Sequence, residues 1–466
     1  MSSRPSARKP VPVAMTIAGV DSVGGAGIAA DLKTFAAVGV HGTLAVTSVT
    51  AQNTYEVRGV YDLPPEAVVS QIEAVYDDVG IDAAKTGMLS NSAIVSAVAR
   101  ALKRYDFPVV VDPVMVAKSG ARLLREDAVK ALVEELLPRA TVVTPNAPEA
   151  EVISGLPVKS IDDARRAARE IAQKTGAEAV VVKGGHLGGS ESVDVLYYNG
   201  SYYEFRAPRI DTTATHGTGC SFSAAIAGYL ARGLSVPDAV RKAKELVTVA
   251  IDRGFVMGRG HGPVNPTAWI YVPAKTYEAA RELREALDYL KANERYVARL
   301  IPEISMNFGV ALEPPYARGE DDVVAVPGRI TRYKDSIVIH GEPAPGASSH
   351  VARALLAYMK WYPEYRAAAN IAIDDYVLEA ARQLGMKVGA YDRRLEPEDV
   401  KRAEGASIPW GIGEALKSAA GPLDVIVDSG DFGKEPGAFV FGRDAMEVAR
   451  KVVAIGQKAE ELSKGR

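Results

Sequence analysis

The 466-residue sequence has a single cysteine, few side-chain amides, no long apolar run and almost no excess of either charge. One cysteine excludes an internal disulfide and a cysteine-rich zinc site, and it predicts a reducing, cytoplasmic environment. The low content of Asn (8) and Gln (5) favours a thermophilic source. No stretch approaches the roughly 18 apolar residues of a membrane span, and the N-terminal region lacks the continuous apolar core of a signal peptide. We therefore expect a soluble protein with no membrane partner.

The 55 basic and 58 acidic side chains leave a formal net charge of −3. A nucleic-acid-binding protein usually has a basic excess, so we expect no nucleic-acid partner. An apolar content of 47% with 24% charged residues is typical of globular domains. This composition excludes a disordered, collagenous or disulfide-built chain.

Short β-branched runs alternate with amphipathic stretches between residues 12 and 260. The predicted strands are Val13–Ala18, Thr43–Val49, Val109–Val111, Thr141–Val143 and Ala179–Val182, and the predicted helices include Glu66–Val79 and Ile161–Lys174. This alternation predicts an α/β fold with a mostly parallel sheet flanked by helices. The Gly- and Pro-rich stretch 254–266 predicts the last loop of this domain.

A charged segment with a helical apolar rhythm follows, and then the alternation starts again with a long helix near Ser349–Lys360. The pattern predicts a first domain over 12–268, a helical connector over 269–295 and a second α/β domain over 296–460.

A Gly-rich segment, His216-Gly217-Thr218-Gly219-Cys220, stands directly before an apolar helix of small residues. Glycines at a helix start let backbone N–H groups point into an anion site, where the helix dipole favours negative charge. A cysteine in this first turn is expected to have a lowered pKa, so that its thiolate could accept a proton from a substrate hydroxyl. Taken alone, Cys220 is more often a small buried cysteine after a tight turn.

Polar residues also follow the predicted strands, where the ligand crevice of an open parallel sheet lies. Asp112 and Glu149 offer the hard oxygen ligands that suit Mg²⁺, and Lys183 can neutralise phosphate charge. Asn146 stands beside another strand end. Each residue alone also fits a solvated loop charge or an Asx-type turn.

Seven motifs occur in a fixed order: AGVDSVGGAGIAADLKTF, TSVTAQNT, AKTGML, DPVMVAKSG, TPNAPEAE, VVKGGH and DTTATHGTGC. Together they resemble the hydroxymethylpyrimidine/phosphomethylpyrimidine kinases, a branch of the ribokinase superfamily that has Cys where the closing signature usually has Asp. The resemblance covers about 12–266. It implies a ribokinase-like fold, ATP as phosphoryl donor, Mg²⁺, and a homo-oligomer.

The resemblance also implies residue roles. Catalytic roles fall on Cys220 and Lys183, and metal binding on Asp112 and Glu149. The implied substrate-binding residues are Gly19, Asp21, Gln52, Met88 and Val114. The implied ATP- and phosphate-binding residues are Asn146, His216, Gly217, Thr218 and Gly219. The chain departs from the family's usual Ser-Asp-Pro-Ser at Val20-Asp21-Ser22-Val23.

In the second domain, Gly328-Arg329 and Gly346-Ala-Ser-Ser-His350 are Gly-led turns that present a cation and an imidazole. Ser348 or Ser349 is expected to cap the helix that follows. Lys434 stands in another Gly-containing turn that could hold an anion. Each segment alone also fits a structural turn or a solvated charge.

As a set, these segments resemble the archaeal-type thiamine-phosphate synthase domain over about 296–457. The resemblance implies that Arg329 and His350 act on the diphosphate that leaves when hydroxymethylpyrimidine diphosphate couples with hydroxyethylthiazole phosphate, and that Lys434 binds phosphate. Asp392, Asp428 and Glu435 are further candidate metal or ring contacts. The chain reads Asn370-Ile-Ala372-Ile-Asp374, without the Arg that this family usually has.

The leading prediction is therefore a bifunctional enzyme of thiamine biosynthesis. One alternative makes the second domain a non-catalytic sensor of thiamine-type phosphates, as the missing Arg would allow. Another makes the first domain a sugar or pyridoxal kinase of the same superfamily. The Gln52 segment and the second domain argue against a sugar, and pyridoxal stays open as a side substrate.

Overall fold

A computed structural model describes residues 9–117, 120–121, 123–430 and 435–465. The chain forms two compact units, Met1–Ile270 and Tyr271–Arg466. The predicted phosphate residue Lys434 lies outside the described residues. Within the described residues, no helix combines the length and apolarity needed to cross a bilayer.

The strands of the first unit form one sheet. They are β1 (Val13–Asp21), β2 (His41–Gln52), β3 (Val57–Asp62), β4 (Ala83–Thr86), β5 (Val109–Val111), β6 (Val142–Val143), β7 (Ala179–Val182), β8 (Glu191–Tyr198) and β9 (Ser201–Pro208). Their order is β3-β2-β1-β4-β5-β6-β7-β8-β9. The neighbours β2, β1, β4, β5, β6 and β7 pair in parallel, while β3 at one end of the sheet and β8 and β9 at the other end pair antiparallel. The predicted mostly parallel sheet is confirmed.

Helices cover both faces of this sheet. They are α1 (Gly27–Ala37), α2 (Pro65–Asp78), α3 (Ser92–Leu102), α4 (Glu126–Ala131), α5 (Ala147–Ser154), α6 (Ile161–Thr175), α7 (Thr218–Ala231) and α8 (Val236–Asp252). Along β5, Val109 and Val111 pack with one set of helices and Val110 with the other. Burial on both faces explains why the central strands are apolar runs without alternation.

The second unit has its own sheet. Its strands are β10 (Phe308–Ala311), β11 (Val323–Ala325), β12 (Ile330–Tyr333), β13 (Ser336–Ile339), β14 (Ala344–Pro345), β15 (Ala367–Ala372), β16 (Val388–Tyr391), β17 (Val425–Asp428) and β18 (Gly437–Gly442). The sheet order is β14-β11-β10-β15-β18-β17-β16, and β12 pairs with β13 as a separate hairpin. Only the pairing of β16 with β17 is parallel among the described pairs of this sheet.

The remaining helices are α9 (Ala268–Ala292), α10 (Glu294–Ala298), α11 (Ser349–Met359), α12 (Asp375–Gln383), α13 (Glu398–Arg402), α14 (Ser407–Lys417) and α15 (Ala445–Lys464). Helices α9 and α15 contribute to the core on one face of the second sheet, and α11 and α14 to the core on the other. The segment 269–295, predicted as a connector, is largely α9. Its side chains Leu283, Leu287 and Leu290 are buried in the core of the second unit.

Candidate active sites

Most of the predicted residues of the first unit meet at the carboxyl ends of its parallel strands. Asp21 ends β1, Asp112 follows β5 and Lys183 follows β7. The first turn of α7 lies over the last two, since a Cβ placed on Gly219 would be 3.2 Å from Lys183 Nζ and 3.6 Å from Asp112 Oδ2. The backbone N–H groups at a helix start have no acceptor within the helix. The start of α7 therefore lies beside a lysine and a carboxylate, an arrangement of the kind that suits an anion.

Asp112 and Lys183 form a largely buried ion pair, with 2.9 Å between Lys183 Nζ and Asp112 Oδ1. Thr144 Oγ1 donates to the same oxygen at 3.2 Å. Glu149 lies near this pair, because it exchanges hydrogen bonds with Asn146, which pairs with Lys183 in an isolated β-bridge. Burial raises the pKa of the Glu149 carboxyl to about 7, with Lys183 opposing the rise and Asp112 adding to it. The predicted metal ligands therefore lie close to one another and to the predicted phosphate-binding lysine.

Asn146 and Glu149 also form the capping box at the start of α5. Asn146 Oδ1 accepts from the Glu149 N–H at 2.9 Å, and Glu149 Oε2 accepts from the Asn146 N–H at 2.8 Å. The Asx-type turn, one of the readings open from the sequence, is thus present. Glu149 is not a solvated loop charge, since it is only 6% exposed.

Asp21 is the centre of a second polar cluster. Its Oδ2 accepts from His216 Nε2 at 2.8 Å and from the N–H groups of Gly25 at 3.0 Å and Ala26 at 2.8 Å. Burial by itself raises the pKa of Asp21, but the hydrogen bond and charge of His216 and the backbone N–H donors outweigh it and lower the pKa. His216, predicted as a phosphate residue, thus lies with the predicted substrate residues. Gln52 Nε2 is 3.3 Å from His216 Nε2.

Gly19 and Met88 lie side by side near this cluster. A Cβ on Gly19 would be 3.2 Å from Met88 Sδ and 3.1 Å from Ser48 Oγ. Met88 is buried. Val114 follows β5 two residues beyond Asp112, and its N–H donates to the Asp112 carbonyl at 2.8 Å. Four of the five predicted substrate residues are therefore grouped by contacts at the end of β1, and Val114 is tied instead to the Asp112 loop.

Cys220 occupies the third position of α7 and accepts a hydrogen bond from the Gly27 N–H at the start of α1, with 3.4 Å between N and Sγ. Burial raises the pKa of the thiol to about 11. The charge of Lys85 opposes this rise, while Asp31 and Asp112 add to it. The expected lowering of the pKa is therefore wrong. The cost of burying a thiolate next to two carboxylates exceeds the gain from the helix start and from Lys85.

The turn before α7 depends on glycine at position 217. Gly217 has φ +83°, and a Cβ there would be 1.8 Å from the Gly25 carbonyl oxygen. We expect Gly217→Ala to lower the free energy of unfolding of the first unit by about 1–3 kcal/mol or more and to impair the kinase reaction. Gly233→Ala is the matched control, since Gly233 has φ +84° with nothing within 4 Å of its Cβ position. Thermal unfolding and turnover of the two variants would be compared. Equal losses of stability and turnover in the two variants would contradict a role for the close approach of Gly217 to the Gly25 carbonyl.

In the second unit, Arg329 lies within electrostatic reach of His350. His350 is the second residue of α11, whose start is capped by Ser348, as expected. Burial, together with the positive charges of Arg329 and then Arg393, lowers the pKa of His350 to about 4, while Asp428 opposes this change. His350 is thus a neutral imidazole at neutral pH. It can donate one hydrogen bond, and the positive charge of the site comes from the arginines.

Arg393 is a member of this site that sequence reasoning missed. Its Nη2 lies 2.7 Å from Asp428 Oδ2, and Tyr391 Oη donates to the same oxygen at 2.8 Å. Because Asp428 also accepts from the Gly430 N–H at 3.0 Å, its oxygens are occupied by protein donors. Asp428 lies opposite Tyr391 in the β16–β17 register, which explains why these two side chains meet.

The other candidates in the second unit are placed differently. Asp392 is paired with Arg394, with 2.7 Å between Asp392 Oδ2 and Arg394 Nη2, and the hydrogen bonds from Arg394 lower its pKa to about 2. Glu435 is exposed. Ala372 ends β15, and its N–H donates to the Leu300 carbonyl at 2.8 Å.

These two sites agree with two family matches. Residues 21–265 match the family described as phosphomethylpyrimidine kinase, and residues 282–454 match the family described as thiamine-phosphate synthase ThiN. The chain belongs to the phosphomethylpyrimidine kinase family. The two matches make it an enzyme of thiamine biosynthesis with a kinase domain and a thiamine-phosphate synthase domain.

Relatives of the kinase family cover the first unit. The hydroxymethylpyrimidine/phosphomethylpyrimidine kinase of Streptomyces coelicolor is 49% identical over 254 residues, which are 54% of this chain and 94% of that protein. The thiamine biosynthesis bifunctional protein ThiED of Geobacter sulfurreducens is 47% identical over 252 residues, 54% of this chain. The match spans only 51% of that bifunctional relative's own length.

Solved structures confirm the ribokinase-like fold predicted for the kinase domain. An ADP complex of Bacillus subtilis pyridoxal kinase is similar with a TM-score of 0.52 and 40% identity, covering 55% of this chain and 98% of that one. The Staphylococcus aureus pyridoxal kinase in complex with pyridoxal has a TM-score of 0.52 and 37% identity, covering 56% of this chain and 95% of that one.

Proposed function

We propose that the first unit transfers the γ-phosphoryl group of ATP to hydroxymethylpyrimidine and then to its monophosphate. The second unit then couples the diphosphate with hydroxyethylthiazole phosphate. The observation that best supports the first step is the convergence of the α7 start, Lys183 and Asp112 on one crevice. The second step is supported by the match to a thiamine-phosphate synthase family.

In the kinase reaction, the substrate hydroxyl forms a bond to the γ-phosphorus, the bond from this phosphorus to the bridging oxygen of ADP breaks, and the hydroxyl proton is transferred to the thiolate form of Cys220, which becomes the thiol. The start of α7 and Lys183 stabilise the charge on the transferred phosphoryl group. Asp21, oriented by His216, and the amide of Gln52 hold the pyrimidine, since an amide offers both a donor and an acceptor.

The carboxylates present fit a Mg²⁺ ion. Among the described residues, no three His, Cys, Asp or Glu side chains gather into a protein cage for a metal. Mg²⁺ needs only one or two carboxylates when waters and substrate phosphates complete its coordination. Asp112 and Glu149 would hold it, and the ion, when bound, neutralises phosphate charge.

In the coupling reaction, the bond from the pyrimidine methylene carbon to the diphosphate breaks, and the thiazole nitrogen forms a bond to that carbon. The ring stabilises the cation that forms between these events. Such a step requires positive charge and donors on the departing diphosphate. Arg329 supplies the charge and His350 supplies an N–H donor, and Arg393 lies within electrostatic reach of His350.

One reaction tests the whole proposal. The full chain is incubated with Mg-ATP, hydroxymethylpyrimidine and hydroxyethylthiazole phosphate, and the products are identified by mass spectrometry. Thiamine phosphate is the expected product. Pyrimidine diphosphate accumulating alone would support the kinase and make the second unit a binding module. The absence of both products would overturn the proposal.

The similarity to pyridoxal kinases favours pyridoxal as a second candidate substrate of the first unit. Pyridoxal shares a hydroxymethyl group on a six-membered nitrogen ring with hydroxymethylpyrimidine. Competition between the two substrates measures this directly. If pyridoxal is phosphorylated in the same crevice, it inhibits phosphorylation of hydroxymethylpyrimidine competitively, and a sugar does not.

A further inference from the structure

A wholly buried ion pair lies in the first unit and has no part in the reaction described above. Asp31 of α1 and Lys85 of β4 both have side chains with no solvent exposure, and Lys85 Nζ is 2.8 Å from Asp31 Oδ2. Thr16 Oγ1 on β1 donates to the same oxygen at 2.6 Å. Burying two charges costs so much desolvation that a well-packed apolar pair is often at least as stable. Stability alone therefore does not explain why a charged pair is present at this position.

The pair is also incompletely satisfied. The second oxygen of Asp31, Oδ1, is buried without a hydrogen-bond partner among the described residues. A buried unpaired carboxylate oxygen is costly, and such groups are rare in native structures. Burial raises the pKa of Asp31, although Lys85 and Thr16 oppose the rise.

The position of the pair connects it with Cys220. The Gly27 N–H that contacts Cys220 Sγ lies in the first turn of α1, and Asp31 follows one turn later on the same helix. Among the charges acting on the thiol, the ammonium of Lys85 has the largest influence and favours the thiolate. Asp31 on α1 and Asp112 beyond β5 disfavour it.

We propose that Lys85 and Asp31 are a positioning pair for Cys220: Asp31, which holds Lys85, lies one turn of α1 beyond the Gly27 N–H that contacts Cys220 Sγ, and the two charges act in opposite directions on the reactivity of the thiol. The inference deepens the proposed function, because Cys220 is the proton acceptor proposed there. Lys85 acts through Cys220 rather than on the substrate. The Asp31 carboxylate holds the ammonium of Lys85 in place and offsets part of its effect on the thiol.

Because the two charges have opposite signs, removing one or the other should change the reactivity of Cys220 in opposite directions. Removing the negative charge with Asp31→Asn leaves the ammonium alone beside the thiol and favours the thiolate. Removing the positive charge with Lys85→Met takes away the cation that favours the thiolate, and Asp31, buried without a counter-charge, is expected to take up a proton, so the variant favours the thiol. A merely structural role would act in the same direction in both variants, because loosened packing exposes Cys220 in each.

The chain contains one cysteine, so alkylation by iodoacetamide, followed by intact mass against pH, reports on Cys220 alone. At pH 8 we expect alkylation at least tenfold faster in Asp31→Asn and at least tenfold slower in Lys85→Met than in the unmodified chain. Lys244→Met is the matched control. It breaks another largely buried pair, in which Lys244 Nζ is 3.0 Å from Asp194 Oδ2, and should leave alkylation unchanged.

If Lys85→Met does not fold, the double variant Lys85→Met with Asp31→Asn removes both charges. It should be alkylated more slowly than Asp31→Asn, because the ammonium that favours the thiolate is present in the single variant and absent from the double one. Changes in the same direction in both single variants, or no change in either, would overturn the inference.

Kinase pH profiles of the same variants separate this inference from the proposed function. Profiles that move with the alkylation rates support both. Alkylation that responds as expected, with kinase profiles that stay fixed, supports the charge pair and refutes Cys220 as the proton acceptor.

Discussion

Replacing Cys220 by Ala is expected to slow both phosphorylations by about 10²–10⁴-fold, the usual contribution of a positioned proton acceptor. Coupling of supplied hydroxymethylpyrimidine diphosphate should be unchanged, since Cys220 belongs to the first unit. The two activities would be measured on one preparation, so that the coupling rate reports the amount of intact protein. Near-normal phosphorylation in this variant would exclude Cys220 as the proton acceptor.

The pH dependence follows from the high pKa of the thiol. With a pKa of about 11, Cys220 is protonated at neutral pH, and the thiolate fraction rises about tenfold per pH unit. The kinase rate should therefore rise between pH 7 and 9. Cys220→Asp provides the control, because an ionised carboxylate throughout this range should give a flat profile.

Replacing Arg329 by Ala is expected to have the reverse effect. Loss of one charged donor on a departing anion typically lowers turnover by about 10²–10³-fold. Arg329 has a φ of +69°, and its Nη1 donates a hydrogen bond to the Ile304 carbonyl. Coupling should therefore fall while both phosphorylations continue.

Arg332→Ala is the matched control for this variant. Arg332 is an exposed arginine in strand β12, three residues from Arg329, and its Nε donates to the Lys334 carbonyl at 2.8 Å. It should couple at the normal rate. Coupling retained in Arg329→Ala, or lost equally in Arg332→Ala, would assign Arg329 a structural role.

The fold of the first unit was predictable because its signals are local. β-branched runs such as Val109–Val111 predict strands, and amphipathic stretches such as Ile161–Lys174 predict helices, from neighbouring residues alone. The structure has both elements nearly where they are predicted. The second sheet was harder to predict from the sequence, because its mainly antiparallel strand order depends on pairings between segments that are far apart in the chain. Strand β15, for example, pairs with β10 and β18, which lie far from it in the sequence.

The site was predictable where residues end strands. The grouping of Asp112 and Lys183 follows from the rule that carboxyl ends of parallel strands meet at one edge. The protonation state of Cys220 was not predictable, because it depends on burial and on charges from other elements. The same holds for His350, whose neighbours Arg329 and Arg393 are distant in sequence.

Sequence analysis missed Lys85 and Arg393, and the sequence marks only the first of them as unusual. Lys85 stood in an otherwise apolar strand, and a lysine there indicates a buried, paired charge. Arg393 and Arg394 are adjacent arginines, and nothing in the sequence distinguishes the buried one from the exposed one. Only the register of β16 with β17 selects Arg393 for Asp428.

Helix α9 determines how the two enzymes could be expressed separately. It begins at Ala268, close to the boundary between the units, yet Ala279, Leu283 and Leu287 belong to the core of the second unit. A synthase fragment that starts at residue 282, where its family match begins, would lack the first half of this helix and part of its own core. A gene divided at the unit boundary after codon 270, with α9 from Tyr271 onward retained on the synthase side, would leave each product with its own hydrophobic core.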